Sequence, residues 1–441
     1  MEQNLNTEFE AAVQFLYSFL DYELNPIGKY DDRNYNLDRL CSFLTILGNP
    51  QESGWHVHIA GTNGKGSVAA MIADALTRAG LKTGLYTSPH LITFRERIRI
   101  NGCMVTPDEI VAGVDRIKNT SMRFDGLTFF DVWTALAFDH FARSAVDTSV
   151  IEVGMGGRLD STNVINPAVS IITSIGIDHS DKLGKTSSEI AHEKAGIIKL
   201  GVPVVSAPQE PAVQSILEKE AKKAGTRLIV VGRDVRWEKE KNGMSYYGSK
   251  WTFDDVSVPL EGSMQFMNAA VAMAALEVLA SEGYPVDPVN ARKGIETVRW
   301  PGRLETVSTN PDIILDGACN PAAMRMVYEF LSTRSPRDKT VAVVAMCRDK
   351  EVSEVLDILG NAASRFVVTQ VENPRALSAR ELAERSPDTV QIIVEPDPLQ
   401  AVEKAISRAG RDGLVIVSGS LYLVGEVMKK YSAGTIENTF T

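Results

Sequence analysis

The stretch Trp55-His-Val-His-Ile-Ala-Gly-Thr-Asn-Gly-Lys-Gly-Ser67 constrains this chain more than any other. Val57, Ile59 and Ala60 make a short apolar run suited to a buried strand. Three glycines then surround Lys65, and Ser67 opens a helical pattern through Val68, Met71, Ile72, Ala75 and Leu76. A strand, a glycine loop and a helix start, in that order, can cradle phosphate. Small residues let backbone N–H groups approach the oxygens, and the helix start adds partial positive charge. Lys65 is placed to meet the β- and γ-phosphates, and the Ser67 hydroxyl to reach Mg²⁺. The spelling departs from the usual G-x-x-x-x-G-K-[ST], because Gly66 separates the lysine from the serine. The alternative is a glycine turn leading into a core helix, but such turns rarely combine strand, lysine, hydroxyl and helix in this order.

Around this site the chain predicts an α/β protein. A mainly parallel phosphate-loop sheet domain with a small β insertion would span residues 1–299. A smaller Rossmann-like α/β domain would span 300–441, with the boundary at Trp300-Pro-Gly-Arg303. Residues 7–22 carry an amphipathic helical pattern, and 25–36 read as a loop. Strands are expected at 84–87, 147–153, 168–174, 202–206 and 227–231, then at 313–315, 340–345, 366–369, 390–394 and 414–417. Short alternating pieces with several aromatics over 233–260 suggest the antiparallel insertion.

A net charge of −10 argues against a nucleic-acid coat or a polybasic membrane surface, so anionic ligands need locally gathered cations. No signal peptide is visible, and the apolar segment 268–280 is interrupted by Glu277, so no membrane span is expected. The four cysteines show neither paired spacing nor a metal pattern, which suits reduced thiols in a cytoplasm. Open α/β sheets place ligands at the carboxyl ends of strands. A hydroxyl (Ser88), a carboxylate (Glu152) and an imidazole (His179) stand at such ends and suit divalent cations beside phosphates. Lys194 reads by itself as a surface helix lysine.

Several motifs then occur in order. They are Ala60-Gly-Thr-Asn-Gly-Lys-Gly-Ser67, Leu85-Tyr-Thr-Ser-Pro-His-Leu91, Glu152-Val-Gly-Met-Gly-Gly-Arg-Leu-Asp160 and Glu193-Lys-Ala-Gly-Ile-Ile-Lys199. Asp316-Gly-Ala-Cys-Asn-Pro321 and Gly419-Ser-Leu-Tyr-Leu-Val-Gly425 follow in the second domain. Together they resemble the folylpolyglutamate synthase/dihydrofolate synthase family of Mur-type amide ligases, over nearly the whole chain.

The resemblance implies a ligase that uses ATP to join a folate or dihydropteroate carboxylate to L-glutamate through an acyl phosphate. A same-family ligase joining another carboxylate and amine is the alternative. It implies ATP contacts at Asn63, Gly64, Lys65, Gly66, Ser67, Asn268, Arg303 and Asp316. It implies two Mg²⁺ sites, with Ser88 and Glu152 at one and His179 at the other, helped by Lys194 carrying a carbamate. Substrate contacts are implied at Gly156, Gly157, Arg158, Asp160, Asn320 and Ser420. Lys65, Lys194, His179 and Cys319 are the implied catalytic positions, and a cytoplasmic monomer is expected. Three residues depart from the family pattern: Cys319 where histidine is usual, Met264 in place of the histidine of His-Gln, and Asp131 for glutamate.

Overall fold

The computed structural model describes residues 2–20, 30–31, 34–241 and 243–431, with the side chains of 2–6 left out. The loop expected over 25–36 lies largely outside the described residues. Eight strands form the first sheet, in the order Cys103–Met104, Ile98–Ile100, Thr83–Tyr86, Thr148–Glu152, Trp55–Ala60, Val169–Ile172, Val204–Ser206 and Leu228–Val230. The last six run parallel. The first two form an antiparallel hairpin that sequence reading passed over. They are short and carry Arg99 between isoleucines, so they lack the apolar run that marks the central strands.

The Lys65–Arg78 and Met264–Ser281 helices pack side by side on this sheet, and Pro288–Thr297 lies against both. Alanines on both faces permit the close approach. A Cβ on Gly294 would lie 2.5 Å from the backbone of Ala75, so only glycine fits there. By length and composition the Met264–Ser281 helix is apolar enough to cross a membrane, but most of it is buried inside the protein. Its one acidic residue, Glu277, accepts hydrogen bonds from Tyr246 (2.6 Å), Ser249 (3.0 Å) and the Trp251 amide (3.1 Å). That carboxylate bolts the antiparallel insertion, Arg236–Lys239, Met244–Tyr247 and Thr252–Val256, to the core helix.

A second sheet begins after Trp300. Its order is Glu305–Ser308, Asp312–Leu315, Leu414–Ser418, Thr340–Val344, Arg365–Val368 and Gln391–Val394, parallel except at the Glu305–Ser308 edge. Both sheets are covered on each face by helices, which gives the α/β class expected. The carboxyl ends of their central strands face one another across a cavity of about 650 Å³.

Candidate active site

The phosphate loop leaves Trp55–Ala60 and is tied to the neighbouring strand end. Thr62 and Asn63 both donate their amides to the Ser174 carbonyl, at 2.8 and 3.2 Å. Gly64 caps the Lys65–Arg78 helix with φ +92, a left-handed backbone that favours glycine. The first N–H groups of that helix have no intrahelical partner and are available to an anion. Gly66, the residue that breaks the usual spelling, has a structural cause. The Trp300 indole packs so closely that a Cβ at Gly66 would sit 2.9 Å from its Nε1.

Lys65 donates to the Thr62 carbonyl at 3.3 Å, and its Nζ lies 4.0 Å from Oε1 of Glu152. Glu152 ends its strand buried, and burial raises its carboxyl above the usual range against the pull of Lys65 and Arg303. The Ser88 amide donates to Glu152 Oε2 at 3.4 Å. His179 stands in a left-handed turn (φ 50, ψ 42) at the start of a four-residue helix. Burial, then the nearby Lys350, brings its imidazole down to about 3, so the ring is neutral. Lys194 lies behind the loop rather than on the cavity wall. Its Nζ donates to the Gly61 carbonyl at 2.7 Å, and burial followed by Lys65 lowers it to about 7.

The second domain supplies the opposite wall. The buried Asp316 carboxylate accepts the Leu304 and Ala318 amides at 2.9 and 2.8 Å, which folds the loop that aims Arg303 into the cavity. Asn320 caps the Pro321–Arg334 helix through the Ala323 amide (2.9 Å). It also exchanges hydrogen bonds with Asn63 of the phosphate loop, at 3.0 and 3.3 Å. Cys319 and Ser420 line the same wall, and burial raises the Cys319 thiol. Asn268 approaches from the Met264–Ser281 helix. Gln265 accepts its Nδ2 at 2.9 Å, and its Oδ1 faces Gly64.

Three implied substrate contacts are not brought into the cavity lining: Gly156, Gly157 and Arg158. Arg158 is drawn away by Glu193, with both charged contacts at 3.1 Å. Gly157 gives room to the Ser187–Ala195 helix, since a Cβ there would lie 2.7 Å from the Glu193 carbonyl. Gly156, at φ +68, leaves space for the Tyr30 hydroxyl. Asp160 does line the cavity, but its carboxylate is engaged by Met155 N (2.9 Å) and by Thr162 N (3.0 Å). Sequence reading placed Asp178 among the converging strand-end loops but missed its partner Lys350 and the seat of Trp300. A signal existed for Lys350, because Asp349-Lys-Glu351 follows a strand end.

Among the described residues no three His, Cys, Asp or Glu side chains gather into a self-sufficient metal cage. The donor set of one buried carboxylate, a serine and a neutral imidazole fits Mg²⁺, which keeps waters and takes phosphate oxygens alongside one or two protein ligands.

Residues 59–276 match the Mur ligase middle domain family, and residues 302–421 match the Mur ligase glutamate ligase domain family. The chain is similar to the dihydrofolate synthase/folylpolyglutamate synthase of Bacillus subtilis strain 168. The two are 32% identical, over 96% of this chain and 99% of the relative. It is also similar to Escherichia coli FolC solved in complex with DHPP and ADP, with a TM-score of 0.86, 30% identity and coverage of 96% and 98% of the two chains. A bifunctional folylpolyglutamate synthase/dihydrofolate synthase solved with Mn, AMPPNP and L-glutamate bound gives a TM-score of 0.81 and 32% identity, over 89% and 93% of the chains.

Proposed function

Because the chain belongs to the dihydrofolate synthase/folylpolyglutamate synthase family of Mur ligases, we propose that it uses ATP to join a folate or dihydropteroate carboxylate to L-glutamate. The observation that carries this reading is the facing of Lys65 and buried Glu152 in one domain by Arg303 in the other, across one cavity. Lys65 would meet the phosphates from the loop, and Arg303 from the second domain. Both offset the charge that spreads as the substrate carboxylate attacks the γ-phosphorus and ADP leaves. The glutamate amine then attacks the acyl phosphate carbonyl carbon. Phosphate departs with its oxygen, the nitrogen loses its proton, and an amide remains. Holding both substrates between two domains of one chain raises the effective concentration of the amine and keeps water from the labile intermediate.

Mg²⁺ bound at Ser88 and Glu152, with a second ion at His179 and a carbamylated Lys194, would supply further charge neutralisation on the phosphates. A pKa near 7 supports that role for Lys194, because the neutral amine is the form that takes up CO₂. The nucleotide contacts fall to residues 63–67 with Asn268, Arg303 and Asp316, and substrate contacts to Asp160, Asn320 and Ser420. One chain lines both walls, which suits a monomer.

Cys319 and Met264, both on the cavity wall, favour the second reading, a different carboxylate or amine in the same reaction. A phosphate-release screen with ATP, L-glutamate and a panel of pterin carboxylates decides between them. Glutamate-dependent release with dihydropteroate marks addition of the first glutamate, and release with a monoglutamyl folate marks extension. Silence with every pterin, but release with another acid and amine, selects the second reading.

A further inference from the structure

The carboxylate of Asp178 holds together parts of both domains. Its Oδ1 accepts the backbone N–H of His179 at 2.9 Å and the Nζ of Lys350 at 2.6 Å. Its Oδ2 accepts Asn320 Nδ2 at 3.2 Å, and the same amide reaches Asn63 of the phosphate loop at 3.0 Å. Lys350 and Asp178 are 11% and 15% exposed, so water screens the pair little. Burial works against the charged form of each group. Even so, each group faces an opposite charge at 2.6 Å, which offsets that cost.

The oxygen that Lys350 grips is the one that fixes the His179 amide. His179 occupies a left-handed backbone that a non-glycine residue keeps only where its surroundings over-determine it. Its carbonyl accepts the Lys182 and Leu183 amides, both at 2.9 Å, so the turn is held from both sides.

We propose that Lys350 is a positioning residue acting through Asp178, so that docking of the second domain sets the turn presenting His179 and readies the metal side of the site. The proposal rests on the family reading for the role of His179, and it concerns what makes that imidazole available. Domain closure and metal affinity are then coupled through a single carboxylate, without contact between Lys350 and the ion.

Mn²⁺ titration of the full chain with ADP present, followed by electron paramagnetic resonance, tests this without acceptor or pterin. Lys350→Met should weaken Mn²⁺ binding by about tenfold, as loss of an orienting partner does. Asp178→Asn, which keeps the shape and an oxygen for the His179 amide, should do the same and remains informative if Lys350→Met fails to fold. The double variant should be no weaker than the weaker single, because both sever one link. Unchanged Mn²⁺ affinity in the folded variants overturns the proposal. So does a rise confined to the L-glutamate KM in Lys350→Met, or losses that multiply in the double variant. If no substrate pair releases phosphate while the Mn²⁺ coupling holds, the substrate assignment falls and the coupling stands.

Discussion

Replacing Gly64 by alanine tests the phosphate loop at its tightest point. Two costs can be separated. At φ +92 an L side chain is strained, by about 1–2 kcal/mol. The new methyl would also collide with Oδ1 of Asn268, whose Cγ lies 3.2 Å from the built position. Asn268 is tethered to Gln265 at 2.9 Å, so moving it forfeits a buried hydrogen bond, about 1 kcal/mol. The sum is roughly 2–3 kcal/mol, or a fall in melting temperature on the order of 3–5 °C for a domain of about 300 residues. Gly80, at the other end of the same helix, supplies the control. Its φ is +86 and nothing lies within 4 Å, so Gly80→Ala carries the strain without the collision. ADP affinity should fall at least about tenfold in Gly64→Ala, equivalent to about 1.4 kcal/mol, and stay unchanged in Gly80→Ala. Differential scanning calorimetry and ADP titration on the same preparations measure both. Equal melting temperatures in the two variants, with ADP binding intact in Gly64→Ala, would refute the reasoning.

Three further outcomes are expected. Lys65→Ala should abolish ATP turnover in a folded protein, since a positioned cation at developing phosphate charge contributes several kcal/mol, about 3 or more; near-normal turnover in the purified variant removes the phosphate-site assignment. Lys194 should become carbamylated as pH rises through about 7, where burial places its amine, so bicarbonate should stimulate activity more at pH 8 than at pH 6 (~1 pH unit either side of that value), with acetate partly rescuing Lys194→Ala. The unmodified lysine has the opposite stability signature from a paired one: the unfolded chain keeps its proton to about 10.4, so stability rises with pH between the two values and is flat below the lower one. The absence of a ¹³C carbamate signal under bicarbonate would count against this. Cys319→His should alter kcat or the amino-acid KM more than ATP affinity, and a fall in melting temperature with unchanged kinetics would leave the thiol a space-filling group.

What was readable in the sequence was chemistry carried on short contiguous runs. The phosphate loop announces itself because strand, glycines, lysine and helix start are neighbours in the chain. Ser88, Glu152 and His179 could be grouped because a parallel sheet sends its strand ends to one side, and all three line the cavity. Pairings between distant segments carried no such signal. Nothing about Asp178 announces Lys350, and nothing about Asn63 announces Asn320, until two sheets are set face to face. The contacts at Gly156, Gly157 and Arg158 came from the family resemblance, which carries no account of what those residues touch in this chain. In this structure Gly157 packs against the Ser187–Ala195 helix and Arg158 pairs with Glu193. The hairpin at 98–104 escaped because edge strands need little apolar surface.

The seating of Trp300 against Gly66 has a consequence for protein engineering. The indole also receives the Arg99 guanidinium at 5.0 Å from its ring centre, so loop, edge hairpin and domain junction meet at one aromatic ring. A chimera that took its first domain from one parent and its junction from another would separate a ring from the bare α-carbon it rests on. Gly66 and Trp300 therefore have to be transplanted together, and a crossover placed after residue 300 is safer than one between the two.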